Sequence, residues 1–136
     1  MVDIAYVEDA ITDKTILISI MAANNEVGTI MPIEEIGIMA EENGVIFHTD
    51  AVQLARKEPI DVTKIKSQLV SLSSHKLHGP KGIGALYIRK GTKIAPYQHG
   101  GHQEKGRRAG TENISAIAGF GKACEMAREE GPEVHK

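Results

Sequence analysis

The stretch from Gln68 to Gly84 leaves a chain of this kind few ways to fold. Gln68-Leu69-Val70-Ser71-Leu72-Ser73 is a run of β-formers that leads into the polar Ser73-Ser74-His75-Lys76, and the glycine-rich GPKGIG (Gly79 to Gly84) turns the backbone immediately afterwards. Lys76 is thereby placed at the carboxyl end of a strand. In an open α/β sheet the ligand crevice lies outside the carboxyl ends of the strands, so a lysine there is positioned for amine chemistry.

The rest of the chain supplies such a sheet. Thr15-Ile16-Leu17-Ile18-Ser19-Ile20-Met21 is an almost continuous apolar run, the pattern of a strand covered on both faces, and it ends in the turn-forming Asn24-Asn25-Glu26. Pro32 opens a helical stretch with Ile33, Ile36 and Met39 towards the core, and Asn43-Gly44 closes it. Val45-Ile46-Phe47-His48-Thr49 is the next strand, with Asp50 at its carboxyl end. Strand, helix, strand is the βαβ unit, whose crossover is right-handed in nearly all known cases. Asp61 to Lys66 forms a helical turn before the Gln68 to Ser73 strand, and Ala85-Leu86-Tyr87-Ile88 is a further short strand. Met1 to Lys14, with alternating Val2, Ile4 and Tyr6 among acidic residues, carries no decisive pattern and is open to two readings, a short helix or a frayed lead-in. Lys90 to Gly110 is a glycine-punctuated loop, long enough to suggest function or packing on a partner. A last helix begins at Thr111 or Asn113, with Ile114, Ile117, Ala118, Gly121 and Cys124 as its apolar face, and Glu129 to Lys136 reads as a frayed tail.

The reading is therefore an α/β fold with a mostly parallel central sheet and flanking helices. A length of 136 residues, 41% of them hydrophobic, gives one soluble globular domain, residues 1–136. The formal charge of -2 argues against nucleic acid or an anionic membrane as partner, so any anion must be held by local geometry. A single cysteine excludes an intrachain disulfide and a CxxC site, and no signal peptide or membrane-spanning apolar run is visible. A cytoplasmic location is expected.

Asp50 and Lys76 on neighbouring strand ends suit pyridoxal phosphate, a cofactor that is anchored by a lysine amine and whose ring nitrogen needs an acidic partner. The carboxylate keeps that nitrogen protonated, which lets the ring accept electrons from a substrate carbanion. The amine must first shed its proton, because a lysine in water is almost wholly charged near neutrality. Ser73, His75 and Thr111 offer hydroxyl or imidazole groups to a phosphate, and Asn25 and Gln53 can hydrogen-bond a phenolic oxygen. Plainer readings compete. Asp50 can cap a turn, Ser73 and Asn25 can bond only backbone, and His48 reads as a packed histidine with no chemistry. Cys124 reads as core, and Lys105, Arg107 and Arg108 as a solvated or dimer-contacting loop. His75, His78, His99 and His102 with Asp50 are zinc-type ligands without a known spacing, so no metal site is assigned. GPKGIG departs from the phosphate-loop pattern and opens a strand rather than a helix.

Four stretches carry a resemblance beyond composition: NNEVGTIMPI (Asn24 to Ile33), HTDAVQ (His48 to Gln53), SSHKLHGPKGIGALYIR (Ser73 to Arg89) and HGGHQEKGRRAGTEN (His99 to Asn113). Together they resemble the cysteine desulfurases, fold-type I pyridoxal phosphate enzymes of the class V aminotransferase superfamily that serve iron-sulfur assembly and nitrogenase maturation. The resemblance runs from about Thr15 to Ala127. It implies that Lys76 is the catalytic, cofactor-bearing lysine and that Asp50 is the partner of the pyridine nitrogen. It further implies that Gln53 and Asn25 lie near the phenolic oxygen, and that Ser73, His75 and Thr111 bind phosphate. In the family the last of these reaches into the neighbouring subunit's site, which implies a homodimer with shared active sites.

The activity implied is the conversion of L-cysteine to L-alanine with sulfur left as an enzyme persulfide for an iron-sulfur scaffold or other acceptor protein. Selenocysteine lyase is the nearest alternative within the superfamily, and a non-catalytic structural or dimerisation module is the alternative outside it. Family members are much longer. The expectation is that this chain is the central part of the cofactor-binding large domain, without the N-terminal segment that supplies a ring-stacking histidine and a further phosphate-binding turn. The C-terminal small domain, with its substrate-carboxylate arginine and sulfur-accepting cysteine, is likewise expected to be absent. Alone, such a piece is expected not to complete desulfuration.

Overall fold

Ile36, Phe47 and Val70 are almost wholly shielded from solvent, and one helix and two strands meet around them in the computed structural model, which describes residues 1–130. The elements are α1 (Ile4–Asp9), β1 (Leu17–Met21), α2 (Ile33–Glu42), β2 (Ile46–Asp50), α3 (Val62–Ile65), β3 (Leu69–Ser73), β4 (Gly84–Ile88), α4 (Gln103–Gly106) and α5 (Ile114–Glu130). A single 3-10 turn, Ser74–Leu77, follows β3. The strands lie in the order β1-β2-β3-β4. The first three are parallel and β4 runs antiparallel to β3, with Ser73 opposite Gly84.

Pattern and packing agree most closely in α2. Ile33, Ile36, Met39 and Ala40 recur at helical spacing and are buried, while Glu34 and Glu35 sit in the first turn, where the helix dipole favours negative charge. The helix ends at Asn43, and Gly44 takes a φ of 66°, the left-handed conformation glycine adopts at little cost. Gly37 is required for a different reason. A Cβ there would overlap the carbonyl oxygen of Ile65, so α2 and α3 can touch only because that side chain is missing. Arg89 closes the same end of the molecule, donating to the carbonyls of Ser67 (3.0 Å) and Val62 (2.9 Å) and lying 3.7 Å from Glu41.

Three expectations are corrected. The apolar run at Thr15 to Met21 is not covered on both faces among the described residues: β1 starts at Leu17 and pairs there with β2 alone, with Ile18 buried and Leu17, Ser19 and Met21 exposed. The helices cover one face of this part of the sheet, the face carrying Ile18, Phe47, Thr49 and Val70. The last helix starts at Ile114, capped by Asn113, whose Oδ1 accepts from the Ala116 amide at 3.1 Å. Its buried face is Ala116, Phe120 and Ala123, and the expected face is the exposed one, Ile114 at 76% and Ile117 at 42%. Size decides this. α5 lies so close to the GPKGIG turn that a Cβ at Gly119 would overlap the Pro80 ring, and one at Gly79 would press on Ala123. Cys124 is correspondingly exposed rather than core. In Met1 to Lys14, open to a short helix or a frayed lead-in, the short helix forms: it is α1, capped by Asp3, which accepts the Ala5 amide. Of the expected frayed tail, Glu129 and Glu130 belong to α5, and residues 131–136 lie outside the described residues.

Candidate active site at the strand ends

The parallel order puts the carboxyl ends of β1, β2 and β3 on one edge of the sheet, and the chain chemistry gathers there. Asp50 is the last residue of β2, paired with Met21 on one side and Ser71 on the other. Its backbone is held from both directions: the Ala22 amide donates to the Asp50 carbonyl at 2.8 Å, and the Ala51 amide donates to the Ser71 carbonyl at 3.0 Å. One carboxylate oxygen accepts the Val52 amide at 2.9 Å, which fixes the rotamer and leaves further lone pairs for a ligand. Gln53 follows in the same turn and is half-buried.

At the end of β3, Ser73 Oγ lies 2.8 Å from His75 Nδ1, a hydroxyl and an imidazole already joined. The turn beyond it is anchored from beneath. Ser74 and Leu77 are buried, Leu77 packs with Phe120 and Ala123, the Ser74 amide donates to the Ile83 carbonyl and the Gly79 amide to the Ser74 carbonyl. Between these anchors Lys76 is exposed, and its side-chain amine has neither a hydrogen bond nor an ion pair among the described residues. Asn25 is exposed in the turn after β1. That turn is built by its neighbour Asn24, whose Oδ1 accepts the amides of Glu26 and Val27, both at 2.9 Å.

Six of the seven expected residues thus share one edge. Thr111 does not join them: it is exposed in the segment ahead of α5, and no hydrogen bond links it to Ser73 or His75. One residue escaped the sequence reading. His48, read as packed and without chemistry, stands half-buried between two serines, with Nδ1 2.7 Å from Ser19 Oγ and Nε2 2.9 Å from Ser71 Oγ. The signal available for it was the two-residue period that puts His48 on the same strand face as Asp50. Burial lowers its pKa, and the nearby Asp50 charge offsets part of that shift. Burial also raises the Cys124 thiol. The described residues contain no group of three or more His, Cys, Asp or Glu side chains that could hold a metal ion, so the histidines at 75, 78, 99 and 102 form no such centre. No helix among them is long and apolar enough to cross a membrane.

Residues 1–134 match the Aminotransferase class-V family. The chain belongs to that family. Among curated relatives of this class V chain, the cysteine desulfurase IscS of Methanosarcina thermophila is 59% identical over 136 residues, all of this chain and 34% of its own length. Cysteine desulfurase IscS of Clostridium botulinum is 54% identical over 132 residues, 97% of this chain and 33% of its own length. Two solved structures superpose closely. A NifS-like protein gives a TM-score of 0.90 at 46% identity over 95% of this chain and 36% of that one, and SspA in complex with cysteine gives 0.88 at 48% over 91% and 36%. The class V chain therefore spans about a third of the length of the curated relatives it matches.

Enzymes of this family depend on pyridoxal 5'-phosphate. The donor set at the strand ends fits that molecule group by group. An unpaired primary amine meets an aldehyde, a carboxylate with free lone pairs meets a pyridine nitrogen, and a hydroxyl–imidazole pair meets a phosphate.

Proposed function

We propose that this chain is a single domain, the central cofactor-binding part of a cysteine desulfurase that takes L-cysteine as substrate and works with pyridoxal 5'-phosphate. The observation that carries the reading is the placement of Asp50 and Lys76 at the ends of the adjacent parallel strands β2 and β3, beside the Ser73–His75 pair. It is supported by 59% identity to a cysteine desulfurase and by superposition on a relative that was solved in complex with cysteine.

When bound, the cofactor supplies an electron sink for a substrate carbanion. The residues do the rest. Lys76 Nζ would anchor the cofactor, and its amine would take and return a proton at the substrate α-carbon. The Asp50 carboxylate holds a proton on the ring nitrogen. Ser73 and His75 bind the phosphate, and Asn25 and Gln53 hydrogen-bond the phenolic oxygen. Thr111, on its separate segment, serves the phosphate of a partner subunit's site, so the working form is a cytoplasmic homodimer that hands sulfur to an iron-sulfur scaffold or another acceptor protein. Cys124, exposed on α5, is assigned no part in sulfur transfer: it matches no catalytic position of the cysteine desulfurases, and the partial desolvation that raises its thiol works against the thiolate a nucleophile needs.

A pyridoxal phosphate titration followed by visible absorbance tests this reading. The chain is expected to develop a cofactor band that L-cysteine perturbs. Asp50→Ala and Ser73→Ala are each expected to weaken binding about tenfold or more, the scale of a lost hydrogen bond to a charged group. Binding that is indifferent to both substitutions contradicts the assignment.

A further inference from the structure

The expected cofactor residues leave one well-made feature of the strand ends without a task. On the sheet face that carries Asp50, three side chains from three adjacent strands form a continuous chain: Ser19 of β1, His48 of β2 and Ser71 of β3. Ser19 is the register partner of His48, and Ser71 is the register partner of Asp50. The imidazole therefore bonds straight across on one side and one step towards the carboxyl edge on the other.

We propose that His48 is a positioning residue for the Asp50 carboxylate, its ring acting as a strut between Ser19 and Ser71 that holds the ends of β1, β2 and β3 in register. The proposal rests on the reading of Asp50 as the partner of the cofactor's ring nitrogen. The residue types suit the task. A neutral imidazole has one donor and one acceptor, and a hydroxyl can serve as either, so both ring nitrogens are satisfied in either tautomer. The two backbone bonds beside Asp50, from the Ala22 amide to Asp50 and from the Ala51 amide to Ser71, lie between the strands that the strut joins. Charge matters as well as distance. His48 stands two residues from Asp50 on one face, where an imidazolium would compete for the carboxylate, and its half-buried setting favours the neutral ring.

The effect is local because the two faces of these strands are fastened differently. Ile18, Phe47 and Val70 hold the covered face through burial, whereas the strut lies on the face that is open at Ser19 and Met21. Water can satisfy Ser19 and Ser71 once the ring is gone, so removing it loosens the strand ends without unfolding the core.

The test uses the chain with His48→Ala and, separately, the double substitution Ser19→Ala with Ser71→Ala, which keeps the imidazole and removes its supports. Amide hydrogen exchange is followed by NMR at Ala22 and Ala51, with the Val45 amide, bonded to the Ala40 carbonyl at the far end of β2, as internal reference. Both variants are expected to speed exchange at Ala22 and Ala51 by about tenfold, the size of one net hydrogen bond, with Val45 unchanged. In the loaded chain the signal of the ring nitrogen of 15N-labelled pyridoxal phosphate is expected to move towards the unprotonated form. Uniform acceleration that includes Val45 makes His48 a general stabiliser and overturns the proposal, as does unchanged exchange at Ala22 and Ala51 or an unmoved ring-nitrogen signal. Failure of the unsubstituted chain to bind the cofactor overturns the functional reading instead, and the exchange rates still decide whether the strut exists.

Discussion

Single residues at the strand ends make up the candidate site, and each is held by something other than the chemistry proposed for it. Asp50 is oriented by the Val52 amide, Ser73 by His75, and Lys76 by the buried Ser74 and Leu77 on either side. His48 adds a pH dependence. Its pKa is lowered in the fold, chiefly by burial against an opposing contribution from Asp50, the charge that acts on it, while the hydroxyls of Ser19 and Ser71 do not titrate. The unfolded chain therefore takes up this proton first as pH falls. The stability linked to the neutral ring is complete above the ordinary histidine value of about 6.5 and is lost as pH drops from there through the folded value. Urea unfolding followed across that range is expected to show a steeper loss on acidification for the native chain than for His48→Gln. Equal slopes would mean that the ring is no less basic in the fold than out of it.

Elements differ in how openly the sequence declares them. β2, β3 and α2 were legible because their patterns and their packing obey the same rule: apolar positions at the right period face one core. β1 was legible as a strand and misread as to cover, because Leu17, Ile18, Ile20 and Met21 give it the composition of a central strand although β2 is its only strand partner among the described residues. α5 misled for the opposite reason. Its isoleucines lie on the exposed side, while the side that packs is chosen by small residues that admit the Pro80 turn. Close approach is invisible to a hydrophobicity pattern. The same holds for Gly37, where an alanine in a helix interior is ordinarily stabilising. Here its Cβ would overlap the Ile65 carbonyl, so Gly37→Ala is expected to lower stability by about 3 kcal/mol, read as a lower urea midpoint at unchanged slope. A neutral or stabilising result would show that α2 and α3 can separate freely.

For the molecule as a whole, the candidate site is a property of topology. Asn25, Asp50, Gln53, Ser73, His75 and Lys76 are spread over some fifty positions of the chain, and three parallel strands bring them to one edge. They were singled out from four motifs, because the residue types suited to a pyridine ring, a phosphate and an imine-forming carbonyl are few, and their shared edge is what the structure adds. The strut behind them was not readable, since Ser19, His48 and Ser71 are ordinary strand residues until the register is known. Thr111 stands outside the shared edge, which is the arrangement expected if it completes the site of a second copy. The measurement that tests the central claim most directly is borohydride reduction of the pyridoxal phosphate-treated chain followed by peptide mass mapping, with Lys76→Ala alongside. The account predicts a pyridoxyl label confined to the peptide bearing Lys76 and missing from the variant. Label spread over exposed lysines such as Lys81 and Lys93, or equal labelling of the variant, would contradict it.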